Sequence, residues 1–240
     1  MFFEVLIGAH IVAGFVGLSA FWIPIFSKKG GRRHVRFGKL FAWCAYVVTL
    51  SAVVVSAGRI AQYLSQGIAM ADQPERYGFA IFLGYLGVTT FASVRHAVRA
   101  IQTRRNPAAI RSPFHWTLGI ASIAGSLAVI AVALGVWTPI SVILLALSPV
   151  GFIVGAPIIA FLRNPTAEHM GWWYRHMGSM LGGGIAFHTA FAVFGARQLF
   201  NYSLDGRIAF LPWILPALVG GPAIGIWTAY YRKRFTRAGT

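Results

Sequence analysis

Long apolar runs separated by short polar breaks dominate the chain. Seven runs, at about 3–26, 39–64, 77–101, 115–137, 139–162, 174–199 and 209–231, each exceed the roughly 20 residues that a helix needs to cross a bilayer core. All are predicted to be helices. The narrowest break is Val136-Trp137-Thr138-Pro139, which reads as a tight hairpin between the fourth and fifth runs. Pro149 and Pro157 in the fifth run, and Pro212, Pro216 and Pro222 in the seventh, predict kinks, because proline removes a backbone donor and clashes with the preceding turn. Gly151-x-x-x-Gly155, Gly178-x-x-x-Gly182 and Gly221-x-x-x-Gly225 predict close helix packing. The pattern as a whole predicts an all-α polytopic membrane bundle of seven transmembrane helices, a single domain over 1–240. The opening stretch, MFFEVLIGAH, lacks a basic n-region and a clear small-residue cleavage site, so it reads as a retained first span.

Composition agrees with this pattern. A chain that is 57% hydrophobic and 11% charged has too little polar side chain to cover a soluble domain. Its formal charge of +16 would suggest nucleic acid if it lay on one soluble face, but the charges lie in short loops between apolar runs. Placing the first, third and fifth loops and the C-terminal tail on one side collects 17 of the 21 Lys and Arg there. Arg59, Arg76, Arg197 and Arg207 are left on the other side. The positive-inside rule then predicts an outside N-terminus and a cytoplasmic C-terminus. Anionic membrane lipid, and no nucleic acid, accounts for the basic loops.

The chemistry available is narrow. The acidic residues Glu4, Asp72, Glu75, Glu168 and Asp205 all fall in loops or at helix ends, whereas a proton-coupled transporter usually places a carboxylate at membrane depth. The single cysteine, Cys44, excludes a disulfide and a cysteine metal site. Nucleotide-binding glycine loops and a retinal-type lysine in the last helix are missing. Histidine remains, and the densest stretch is His169–His188, HMGWWYRHMGSMLGGGIAFH. Trp172, Trp173 and Tyr174 belong at headgroup level beside Arg175, and the other helices are expected to pack around this stretch.

By depth the histidines form two sets. Counted from the centres of their runs, His10 lies about 7 Å and His188 about 3 Å to the outer side, which admits them as opposed axial ligands. Gly14 and Gly184 are each one turn from a histidine and would leave a gap for a porphyrin. The first candidate is therefore a b-type haem electron-transfer protein with His10 and His188 on the iron and a quinone or redox partner at its rim. His34, His96, His115 and His176 form an inner set. His176 and His188 are 12 residues apart, about 120° off a shared face, unlike two ligands of stacked haems. For His34, His169 and His176 an interfacial, lipid-binding role stands beside the ligand role. Arg95, Arg99 and Arg175 should converge near His96, His115 and His176 as a basic inner mouth, with His34 and Arg36 as further anion- or lipid-binding residues. That mouth supports a second candidate, a transporter or lipid- and anion-handling protein. A third is a non-catalytic subunit or assembly factor docked to another membrane protein through its glycine faces.

The segment GGRRHVRFGKLFAW, with His34, Arg36 and Gly38, following His10 in the first helix, resembles a family of uncharacterised bacterial multi-pass membrane proteins with an HxRxG-type motif in the first cytoplasmic loop. FHWTLG, with His115 and Gly119, resembles that family's second motif. The resemblance covers about the first 130 residues. It implies a bacterial inner-membrane protein and no established activity. Similarity to the di-haem cytochrome b superfamily is only generic.

Overall fold

A computed structural model describes residues 2–166, 168–201 and 206–237. Seven helices in it are long and apolar enough to cross a membrane. They are α1 (Phe2–Phe26), α2 (Arg32–Ser65), α3 (Pro74–Gln102), α4 (Pro113–Gly135), α5 (Ser141–Arg163), α6 (Gly171–Phe200) and α7 (Leu211–Arg237). No strand occurs among the described residues. Residues 202–205 of the loop assigned to 200–208, Asp205 among them, lie outside the described residues, as does the side chain of Arg207.

The second helix starts seven residues before its apolar run, at Arg32. Gly30, at φ 74°, makes the turn, and the arginines and lysine that follow are good helix formers despite their charge. Hydropathy therefore marks the apolar part of this helix and misses its basic first two turns.

The most enclosed helix is α3, not the expected His169–His188 stretch. Of its apolar window 56% is buried, against 17% for α6 and 6% for α7. Its small residues explain this: Ala92, Ala97 and Ala100 are fully buried, which lets neighbours approach on every side. Three apolar clusters each draw on it. Val94 joins Phe21, Phe41 and Phe187 between α1, α2 and α6. Phe82 and Tyr85 join Val129, Leu144 and Trp213 near the opposite end. Ala92 and Ala100 join Leu118, Ile158 and Phe161 between α4 and α5. The aromatic stretch of α6 has a peripheral task instead. Trp173 packs on Tyr231 and Phe235 of α7, and the Arg232–Glu168 ion pair, 2.6 Å long, fastens the same corner.

Of the prolines expected to kink helices, only Pro149 interrupts one. α5 divides there into Ser141–Leu147 and Pro149–Arg163, while Pro157, Pro216 and Pro222 lie inside continuous helix and Pro212 in the first turn of α7. The break is repaired by side chains. Ser148 Oγ donates to the Leu145 carbonyl that Pro149 cannot serve, at 2.9 Å. The Tyr85 hydroxyl enters the ladder, accepting from Gly151 N–H at 2.6 Å and lying 2.8 Å from the Ser148 carbonyl as donor. Ser126 Oγ donates to that carbonyl too, at 2.7 Å. Tyr85→Phe should cost about 1–3 kcal/mol, because the buried Gly151 N–H would keep no partner; unfolding in detergent against denaturant measures it.

The glycine pairs separate in the same way. Gly151 and Gly155 lie against Ser122 and the Gly119 carbonyl of α4, so that interface is a close one. Gly221 and Gly225 face open space, which corrects the expectation of a packed face there. Gly182 approaches Ser93, and Gly183 approaches Val94 and Phe41.

Candidate functional site

Between α3, α4, α5 and α6, at the end of the bundle that carries most of the Lys and Arg, two histidines face each other. The rings of His96 (α3) and His115 (α4) lie 6.4 Å apart, and both residues are buried, at 1% and 2% exposure. The phenyl ring of Phe161 (α5) meets His96 edge-on at 5.6 Å. On the same ring, at 5.5 Å, sits the guanidinium of Arg175 from α6. Four helices thus each contribute one side chain to a single spot.

Local sequence explains how each arrives. Ser112 caps α4, its Oγ accepting from His115 N–H at 3.3 Å, and the same hydroxyl engages His115 Nδ1 at 3.0 Å. That turns Nε2 inward. Arg99 is spent on the Ala109 carbonyl (2.9 Å), and Arg111 on the carbonyls of Leu162 (2.8 Å) and Arg163 (2.7 Å), closing the end of α5. Arg175 stands in the second turn of α6, next to the Trp173 corner that anchors the helix.

Among the described residues six buried side-chain polar atoms have no partner; Ser27 Oγ and Tyr46 Oη lie elsewhere, and the other four lie at this spot. His96 Nδ1 and Nε2, His115 Nε2 and Arg175 Nε are buried and have no partner. A buried polar atom without a partner costs free energy, so such a group signals strain or a ligand. The other helix-borne histidines are all satisfied. His10 Nδ1 pairs with Ser51 Oγ at 2.8 Å, and since that hydroxyl already donates to the Val48 carbonyl, Nδ1–H is the donor. His34, His176 and His188 direct Nδ1 to the carbonyls of Pro24 (3.2 Å), Ala97 (3.1 Å) and Gly184 (2.7 Å). His96 stands apart with neither nitrogen engaged.

Electrostatically the spot is surrounded by cations. Arg175 and His115 act on His96, and Arg95 and Arg99 act on His115. Glu168 is the acidic residue felt at Arg175, and its carboxylate is already held by Arg232. Among the described residues, no group of three or more His, Cys, Asp or Glu is placed to hold a metal ion.

Of the predicted basic mouth, the structure brings together His96, His115 and Arg175, with Arg95 and Arg99 beside them. His176 is not among them. It turns to the far side of α3, where its ring lies 6.3 Å from that of His34. Arg36 shares a face of α2 with Arg32 and Lys39 along a shallow groove, so it does not join His34 either. Lys29, in the loop before α2, donates to the carbonyls of Pro24 (2.9 Å) and Ile25 (2.6 Å) and closes α1; partial burial lowers its pKa from the ordinary lysine value.

The expected pair His10 and His188 is not formed. α1 and α6 run antiparallel with Phe21 against Gly184, Gly17 against Phe187, and Phe15 edge-on to Phe191 at 5.9 Å. His188 therefore lies near the level of residue 17, seven residues from His10, or about 10 Å along the helix. The gap at Gly184 is filled by Phe21, the His188 ring packs on Phe21 and Trp22 at 5.5 and 5.3 Å, and Gly14 borders open space. Depth counted from run centres assumed that all helices share a midplane. Ring-into-glycine packing sets a different stagger.

Comparisons with protein-family models, with curated proteins and with solved structures returned no match.

Proposed function

We propose that this protein binds a small oxyanion, of the phosphate class, at the cytoplasmic mouth of a bundle embedded in a bacterial inner membrane, and that it transports that anion or handles a lipid carrying it. The observation that carries the reading is the set of unpartnered buried atoms on His96, His115 and Arg175. Arginine can only donate hydrogen bonds, and a charged guanidinium favours an acceptor that is negative and geometrically open, such as an oxyanion. The neighbouring charges of Arg95 and Arg99 favour the same occupant.

Membrane insertion is supported by the surface. Val12, Trp43, Leu50, Ile153, Leu218 and Ile226 are each more than half exposed and are distributed over four helices. So much bare apolar side chain is stable where the solvent is hydrocarbon. The uneven distribution of Lys and Arg supports a cytoplasmic side for the mouth. Reporter fusions should locate residues 27–38, 102–112 and the tail in the cytoplasm; a C-terminus outside would break the odd span count.

The function is tested with the full chain in nanodiscs. In zwitterionic lipid, titration with inorganic phosphate should give saturable heat if the free anion is the ligand. If a headgroup is the ligand, phosphatidic acid should compete with phosphate, whereas a neutral lipid should not. Absence of binding in both arms rejects the reading.

A further inference from the structure

Resting on that oxyanion reading, we infer that the anion is the headgroup of a glycerophospholipid of the phosphatidic acid class, which enters sideways from the bilayer between α2 and α4 with an ester oxygen at Tyr46. The straight route from the cytoplasm is covered. Arg99 fastens the turn at Pro107–Ile110 through the Ala109 carbonyl, and Arg111 ties its far end to the carbonyls of Leu162 and Arg163. Below that turn Ile110 is fully buried in the same apolar cluster as Ala100 and Phe161, the ring that meets His96.

Sideways the surroundings change. Arg95 neighbours His96 on α3, and its charge is felt both at His115 on α4 and at Tyr46 on α2, so it connects the anion spot with the second helix. Glu168, the acidic residue at this end of the bundle, is held by Arg232, which leaves the Arg95 charge for an incoming anion. Beyond Arg95, Tyr46 Oη is buried and has no hydrogen-bond partner. It lies about one turn deeper in the membrane, because the Tyr46 ring packs at 5.4 Å on Phe91, which is four residues or about 6 Å from Arg95 along α3.

That hydroxyl distinguishes a lipid from a free anion. A phosphate held by Arg95, Arg175 and the histidines has its donors already, and a tyrosine a turn deeper adds little to it. The ester carbonyls of a glycerophospholipid lie a few bonds deeper than its phosphate and only accept, so Tyr46 O–H donating to one satisfies both groups. The remainder of the path is aromatic. Phe114 meets His115 edge-on at 5.8 Å and Phe91 at 6.4 Å, and Trp43 meets Tyr46 at 5.9 Å. Trp43 and Phe114 are 68% and 49% exposed, so the rings lead from a buried histidine to the lipid-facing surface. Cations, then a hydroxyl, then rings follow in the order phosphate, ester, acyl chain.

The probe is phosphatidic acid with a diazirine near the glycerol end of one acyl chain, at trace level in zwitterionic nanodiscs containing the full chain. Phosphatidylcholine with the same diazirine reports ordinary boundary lipid. After irradiation, peptide mass spectrometry should find the phosphatidic acid label around Trp43 and Phe114, above the phosphatidylcholine level and displaced by excess inorganic phosphate. Tyr46→Phe keeps the ring contacts and should weaken phosphatidic acid binding by about 2- to 12-fold, the equivalent of one neutral hydrogen bond, while inorganic phosphate binds as in wild type. Trp43→Ala, at an exposed position, should likewise lower the labelling and spare phosphate binding. Saturable phosphate binding without labelling above the phosphatidylcholine level overturns the inference and leaves the oxyanion reading standing. Absence of both phosphate binding and specific labelling overturns both. Unchanged labelling in Tyr46→Phe, or equal weakening of phosphate and phosphatidic acid there, overturns the assignment of Tyr46 to the ester.

Discussion

Gly151→Val should prevent the chain from reaching its folded state, the largest stability effect expected for a single small substitution in this protein. A Cβ at Gly151 would run into the Ser122 carbonyl and the Ser126 hydroxyl on α4 and into the Tyr85 ring, with only 2.9 Å to the last. The first of these is backbone and cannot rotate away. Overpacking alone costs about 1–3 kcal/mol, and here the clash also displaces Tyr85 and Ser126, whose hydroxyls stitch the Pro149 break, adding about 1–3 kcal/mol for each buried group left unpaired. Gly225→Val is the comparison. It alters the same kind of glycine spacing at a position where a Cβ meets nothing within 4 Å, and it should fold like the wild type. The monodisperse fraction on size exclusion and the unfolding midpoint in detergent distinguish the two. Equal behaviour of the two variants would mean that α4 and α5 are not packed as described.

Arg175→Met should weaken oxyanion binding by about 10- to 150-fold, the arithmetic equivalent of the 1.5–3 kcal/mol typical of a hydrogen bond to a charged group. Methionine keeps the length and much of the apolar contact with Phe161, so the loss reports on the guanidinium more than on packing. Arg175→Lys should fall between methionine and wild type, because an ammonium keeps the charge and loses the planar fork. His169→Ala, at an exposed position before α6, should leave affinity unchanged. These are read from the same phosphate titration in zwitterionic nanodiscs. Wild-type affinity in the methionine variant would remove Arg175 from the site.

Much of this protein is legible along the chain because the relevant signals are local. An apolar run of sufficient length announces a helix wherever it packs, and seven such helices are found. The uneven distribution of Lys and Arg is equally a property of the loops themselves. The chemistry of the inner mouth was visible in outline, since His96, His115 and Arg175 all lie near the same ends of their helices. Pro149, Pro157, Pro216 and Pro222 looked alike, yet only Pro149 divides a helix, where hydroxyls from Tyr85, Ser126 and Ser148 serve the freed backbone groups.

What the tertiary structure decided is which residues meet. Helix stagger depends on how side chains on one helix fill gaps in another, and that complementarity is absent from either helix alone. Phe21 filling the space at Gly184 separates His10 from His188 by about 10 Å, although their hydropathic depths match. Rotation about the helix axis depends on the same packing: it turns His176 toward His34 and leaves His96 facing His115 and Arg175. Apolar periodicity sets the length and number of the helices, while the fit of aromatic rings against glycines and alanines sets the partners of each histidine.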